Sequence, residues 1–159
     1  MMKKFLVVLL LILIVCPLYS QVVFTDEKIK EVVLLDPLCD DEEGDYEWGF
    51  TVVERKECGK RLVNEFNEIM TDAENIYPQE LKDNIVSYRA FLPDICVKCK
   101  DVDVLIEFST YDVVLTYSDD ESYDYILSQK GYDRLLDWCI KVFPDDEFLK
   151  KYKNRKKDE

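Results

Sequence analysis

The chain contains no histidine. Ser-His-Asp and Cys-His nucleophile activation are excluded in their usual forms. Imidazole metal sites and imidazole pH switching go with them. Only four of the 159 residues are glycine, and none belongs to a Gly-rich loop that cradles phosphate. No Asn-x-Ser/Thr sequon is present, so no N-linked glycan is implied. No Gly/Ser linker, internal repeat or long low-complexity tract divides the chain, and no motif calls for a cofactor. Cations are scarce: 21 Lys and Arg stand against 34 Asp and Glu, a net charge of −13. Such a surface repels phosphate backbones and anionic lipid, which excludes a general nucleic-acid binder and suits a cationic partner or another protein not identified by sequence.

A long apolar run occurs only once, over residues 5–15. It follows Met1-Met2-Lys3-Lys4 and precedes Cys16-Pro17-Leu18-Tyr19-Ser20. A basic start, a short apolar stretch and a small residue before polar sequence describe a secretory signal peptide over residues 1–20, cut after Ser20. The run falls short of the roughly twenty residues that span a bilayer, and Pro17 would interrupt a spanning helix. The mature chain is therefore expected to have no transmembrane segment and to be secreted or extracytoplasmic (periplasmic if bacterial). Leu13-Ile14-Val15-Cys16 resembles a bacterial lipoprotein processing site, except that Val15 stands where a small residue is expected. That resemblance implies, as an alternative, a lipid anchor at Cys16. Removing the leader leaves 159 − 20 = 139 residues and a charge of −13 − 2 = −15. This is one domain, over residues 21–143, with a short terminal helix and basic tail over residues 144–159.

Five cysteines remain after Cys16: Cys39, Cys58, Cys96, Cys99 and Cys139. In an exported protein they are expected to pair, giving two disulfides and one leftover thiol. Cys96-Val97-Lys98-Cys99 is the only pair close in sequence. A dithiol redox site there needs a depressed thiol pKa, normally from a helix N-terminus. Residues 101–108 instead alternate as a strand does, and Asp94, Asp101 and Asp103 oppose Lys98 and Lys100. A zinc site would need Cys39 and Cys58, which are not themselves a close pair. The structural reading makes residues 94–99 a disulfide junction between two halves of the chain. The acidic loop Cys39-Asp40-Asp41-Glu42-Glu43-Gly44-Asp45 fails as an EF-hand. Aligning Gly44 with the sixth position puts Cys39 first and Phe50 twelfth, and neither supplies the oxygen ligand required. An irregular, weak calcium site on Asp40, Asp41, Glu42, Glu43 and Asp45 is the alternative to a solvated loop.

Patterning predicts a short helix or buried strand within residues 22–35 and a strand over residues 46–54. It predicts a long helix over residues 56–77, from Leu62, Phe66, Ile69, Met70, Ala73, Ile76 and Tyr77 at three- and four-residue spacing. Strands follow over residues 85–92, 102–108, 111–117 and 123–127, with a hairpin turn at Ser109-Thr110. Ser128 caps a helix over residues 129–142, and Phe148, Leu149 and Tyr152 anchor a terminal helix. The expected fold is α+β: an antiparallel sheet of about four to six strands, a long helix on one face, a C-terminal helix, and disulfide staples. No motif or order of elements identifies a family. The expected function is binding rather than catalysis. Its rivals are thiol–disulfide exchange by Cys96 and Cys99, and weak calcium binding by the acidic loop.

Overall fold

A computed structural model describes residues 28–38, 44–79, 90–117 and 121–155. The leader, Cys16, Cys39, Asp40, Asp41, Glu42, Glu43, most of the strand expected over residues 85–92, and the last four residues lie outside the described residues.

One antiparallel sheet of eight strands organises the chain: β1 (Glu31–Asp36), β2 (Tyr46–Glu47), β3 (Phe50–Lys56), β4 (Ile76–Pro78), β5 (Ile95–Lys98), β6 (Val102–Glu107), β7 (Asp112–Tyr117) and β8 (Ser122–Leu127). Their spatial order is β2-β3-β1-β5-β6-β7-β8-β4. Three short helices accompany it: α1 (Lys60–Thr71), α2 (Gln129–Val142) and α3 (Glu147–Arg155). The sheet is thus larger than the expected four to six strands. Val32-Val33-Leu34-Leu35 resolves to strand, since β1 is paired on both edges, with β3 and β5.

Alternation sorts the strand residues to two faces. Val32, Leu34, Ile95, Val97, Val104, Ile106, Val113 and Leu115 join Phe66, Ile69, Leu135, Trp138 and Phe143 in the main core. Val33, Leu35, Cys96 and Leu105 form a smaller cluster on the opposite, outer face. The helices cover the inner face. Trp138 packs on Phe66 with ring centroids 4.8 Å apart, and its indole N–H donates to the Leu62 carbonyl at 2.8 Å. A buried indole keeps a partner because an orphaned donor costs about 1–3 kcal/mol.

The helix expected over residues 56–77 is shorter at both ends. Lys56 closes β3, and Gly59 occupies the N-cap in extended conformation. At the other end Asp72 leaves the helix and accepts from the Glu74 amide at 3.0 Å. That local turn competes with helix continuation, and Ile76 and Tyr77 pair instead with Leu127 and Ile126 of β8. Ser128 caps α2 as expected, accepting from the Gly131 amide at 3.0 Å. On β3 the register steps from Leu34↔Glu54 to Leu35↔Val52, so Val53 is the extra residue of a bulge. The bulge and the charges of Glu54, Arg55 and Lys56 blunt an edge that β2 covers only at its start.

Among the described residues the expected disulfide staples are not formed: no disulfide joins Cys58, Cys96, Cys99 or Cys139. Cys96 lies in the outer cluster, whereas Cys99 and Cys139 lie in the main core with Cys58 packed against it. They act as small apolar side chains, and packing rather than cross-linking holds the described fold.

Candidate functional site

The stretch 94–99 turns out to be the centre of the sheet, with β5 hydrogen-bonded to β1 and β6. Its two thiols are not brought together. Residues three apart on a strand point to opposite faces, and Cys96 and Cys99 do so, both buried. Burial, and then the nearby Asp103 and Glu47 carboxylates, push the Cys96 thiol far up. Burial raises Cys58 to about 11. A nucleophilic thiol needs the opposite shift.

Two carboxyls are buried beside this strand. Asp94 is 3 % exposed and Glu107 is 2 % exposed. Asp94 accepts from the Phe108 amide at 2.7 Å, and Glu107 accepts from the Leu92 amide at 3.0 Å and the Ser109 hydroxyl at 2.6 Å. These bonds tie the β5 entrance to the β6 exit.

The outer face carries a second polar arrangement. Trp48 and Gly49 form the β2–β3 turn with φ of 54° and 81°, the two positive values of a type I′ hairpin. The left-handed backbone at Trp48 costs about 1 kcal/mol or more. Its indole N–H donates to Asp103 at 3.1 Å. Around it Arg55 bonds Glu31 at 3.2 Å, Asp45 at 2.9 Å and Glu47 at 3.0 Å, while Lys98 bonds Glu47 at 2.8 Å. The Arg55 hydrogen bond holds Asp45 below the usual carboxylate range. Asp45 is therefore committed to a guanidinium, and among the described residues no group of three or more acids or cysteines is placed to hold a metal. This network sets Arg55 and Lys98 against Glu31, Asp45, Glu47 and Asp103, gives each of the four carboxylates a donor, and so fixes the hairpin.

The third arrangement gathers tyrosines at the end of the β7–β8 pair. The register sets Tyr123 opposite Leu115 and Tyr125 opposite Val113, so both tyrosines stand on the inner face. Tyr117, two residues beyond Leu115, joins them. Tyr117 and Tyr123 meet edge to face at 5.9 Å, and Tyr123 donates to Glu121 at 2.9 Å. Burial, followed by Tyr117 and Tyr123, raises the Tyr125 phenol. Yet Tyr123 keeps 48 % of its surface exposed. Beside it Ser122 and Asp124 are exposed too, and β4 pairs only with Tyr125, Ile126 and Leu127 of β8. Among the described residues β4 and Gln79 reach along β8 as far as Asp124, and the aromatic row continues past that point to Tyr123.

Sequence patterning missed this surface because it read each strand alone. The signal is present as an asymmetry: residues 101–129 contain eight acids and four tyrosines but no Lys or Arg. Register then gathers three of the four tyrosines. No described helix is long and apolar enough to cross a membrane. The described residues form an eight-stranded antiparallel sheet with their helices on one face. Comparison with family models, with curated proteins and with solved structures found no match.

Proposed function

We propose that the protein is a binding module that takes an extended, Lys- or Arg-bearing peptide segment at the Tyr123 end of the β7–β8 hairpin. The observation that carries this reading is the row Tyr117, Tyr123 and Tyr125 with Glu121 beside it, in a stretch of sequence without a basic residue. Tyrosine faces attract ammonium and guanidinium groups by about 0.5–1 kcal/mol at exposed sites. The adjacent Glu121 carboxylate adds steering. Burial of Cys96 and Cys139 and half-burial of Cys58, which raise all three thiol pKa values, favour binding over exchange chemistry. The basic start and apolar run before Ser20 support export, so the partner is met outside the cytoplasm.

Titration calorimetry with a short Lys/Arg-rich peptide tests the proposal. The wild type is expected to bind it, more weakly as salt rises, and not to bind the same peptide with Glu for each cation. Tyr123→Ala is expected to weaken binding about fivefold, the equivalent of about 1 kcal/mol. Equal affinity for both peptides, or a Tyr123→Ala variant that binds as the wild type does, would overturn it.

A further inference from the structure

We propose that α3 is a protonation-dependent clasp: a neutral Asp94 lets the helix close over the β5–β6 end of the sheet, and loss of that proton releases the helix while the sheet stays intact. The geometry begins with what faces Asp94. The Phe108 amide donates to it from the end of β6 at 2.7 Å. The Tyr152 hydroxyl reaches it from α3, Glu107 stands beside it on β6, and Asp146 approaches from the turn before α3. Cys139 lies within electrostatic reach on α2. The charged groups that act most strongly on Asp94 are carboxyls. An ionised Asp94 has two hydrogen-bond donors and lies next to two further carboxyls.

Which element yields follows from how each is held. The sheet strands around Asp94 are paired on both sides, by β1 and β6 for β5 and by β5 and β7 for β6. By contrast α3 is nine residues long, too short to persist alone. It docks through Leu149 and Tyr152, the two residues it buries. Its Lys153–Asp137 ion pair at 2.7 Å is about half exposed on each side, a geometry worth little. The same segment carries both the lid and the repulsion, because Asp146 also caps α3, accepting from the Leu149 amide at 2.7 Å. Undocking α3 therefore removes Asp146 from Asp94 and admits water in one motion. Burial, with Glu107 and Asp146 adding to it against the Phe108 and Tyr152 bonds, places the transition near neutrality, at about 7. The balance is a proton lost to solvent and a carboxylate gained; no other group changes charge.

Hydrogen exchange of the full chain, corrected for intrinsic rates, reads the clasp directly. Between pH 5.5 and 8.5 the protection of α3 amides is expected to fall at least tenfold relative to β5 and β6, within the limit of tenfold per pH unit for one proton. Asp94→Asn is expected to keep α3 protected at both pH values. Protection of α3 that tracks the sheet at every pH would overturn the proposal, as would an Asp94→Asn variant with the wild-type pH response. Should that variant fail to fold, Tyr152→Phe decides. It removes a donor that favours the charged carboxylate, so the pH at which α3 protection levels off is expected to rise. An unmoved plateau would overturn the clasp.

Discussion

Gly131 is the point where the backbone of one element meets that of another. A Cβ built there would lie 2.1 Å from the carbonyl oxygen of Asn75. The turn it meets has no room to move. Ser128 donates from its amide to the same Asn75 carbonyl at 2.8 Å and from its hydroxyl to the Glu74 carbonyl at 2.6 Å. Asn75 itself is buried and donates to the Ile69 carbonyl at 2.9 Å. Helix propensity alone would make Gly131→Ala stabilising by about 1 kcal/mol. Overpacking against a fixed backbone costs typically about 1–3 kcal/mol and more when nothing can shift. The steric term wins, and a net loss of about 2 kcal/mol in urea unfolding is expected. A gain in stability would show that the α1–β4 turn moves freely. At this scale the sequence is only half legible. An isolated glycine inside a helical pattern announces a packing reason, but not the residue it meets. The Cys96–Cys99 spacing was legible in a different way. Once residues 94–99 are read as strand, an odd separation alone sends the thiols to opposite faces.

Elements were legible where one periodicity ran long enough. The stripe of α2, including Tyr132, Leu135, Leu136 and Cys139, is buried as its spacing requires, and β7 alternates as expected over its first four residues, whereas β6 buries Val104 through Glu107 without a break. Short strands were not legible. β2 has two residues and β4 three, too few for any period to show, and each exists because a neighbour supplies the pairing. The start of α1 was misplaced for a physical reason that also yields a prediction. Its N-cap, Gly59, makes no side-chain cap bond, and its first turn has no acid but does contain Lys60 and Arg61. Cations there oppose the helix dipole. Nothing lies within 4 Å of a Cβ at Gly59, whose φ of −67° suits any residue. Gly59→Asp would supply a side-chain acceptor at the first turn, a favourable charge and a stiffer unfolded chain. Together these are expected to stabilise the protein by about 1 kcal/mol. Equal or lower stability of the variant in urea would mean that the α1 end is already satisfied by another group.

The whole molecule was legible as one antiparallel sheet with helices, but not in its size or its cross-links. A patterned segment such as residues 46–54 reads as one strand until the Trp48-Gly49 turn folds it into two. The disulfide expectation followed from compartment, whereas the packing of the inner and outer faces gives each described cysteine an apolar niche. Charge acts at this scale too, and its pH dependence follows from opposing groups. The Arg55 bond lowers Asp45, and Lys98 and Arg55 lower Glu47 despite its burial. The Glu74 amide lowers Asp72, with Lys130 and Arg134 adding to it. These groups contribute stability above their unfolded pKa values and lose it as pH falls through the folded ones. Asp94 has the reverse sign, since burial raises it from 3.8 to about 7. The folded chain then keeps a proton that the unfolded chain has released. Its stability contribution is complete below pH 3.8 and is lost as pH rises toward about 7, at up to about 1.4 kcal/mol per pH unit. Asp103, raised by burial, acts in the same direction. Self-repulsion at a net charge of −13 adds to the alkaline side. Stability measured by urea unfolding is therefore expected to peak near about pH 5 rather than above 7, with an acid limb from the paired carboxylates and an alkaline limb from Asp94. Asp94→Asn should remove most of the alkaline limb and leave the acid limb in place. A wild type that grows more stable from pH 5 to 8, or a variant that keeps the full alkaline decline, would mean that Asp94 is solvated in the folded protein.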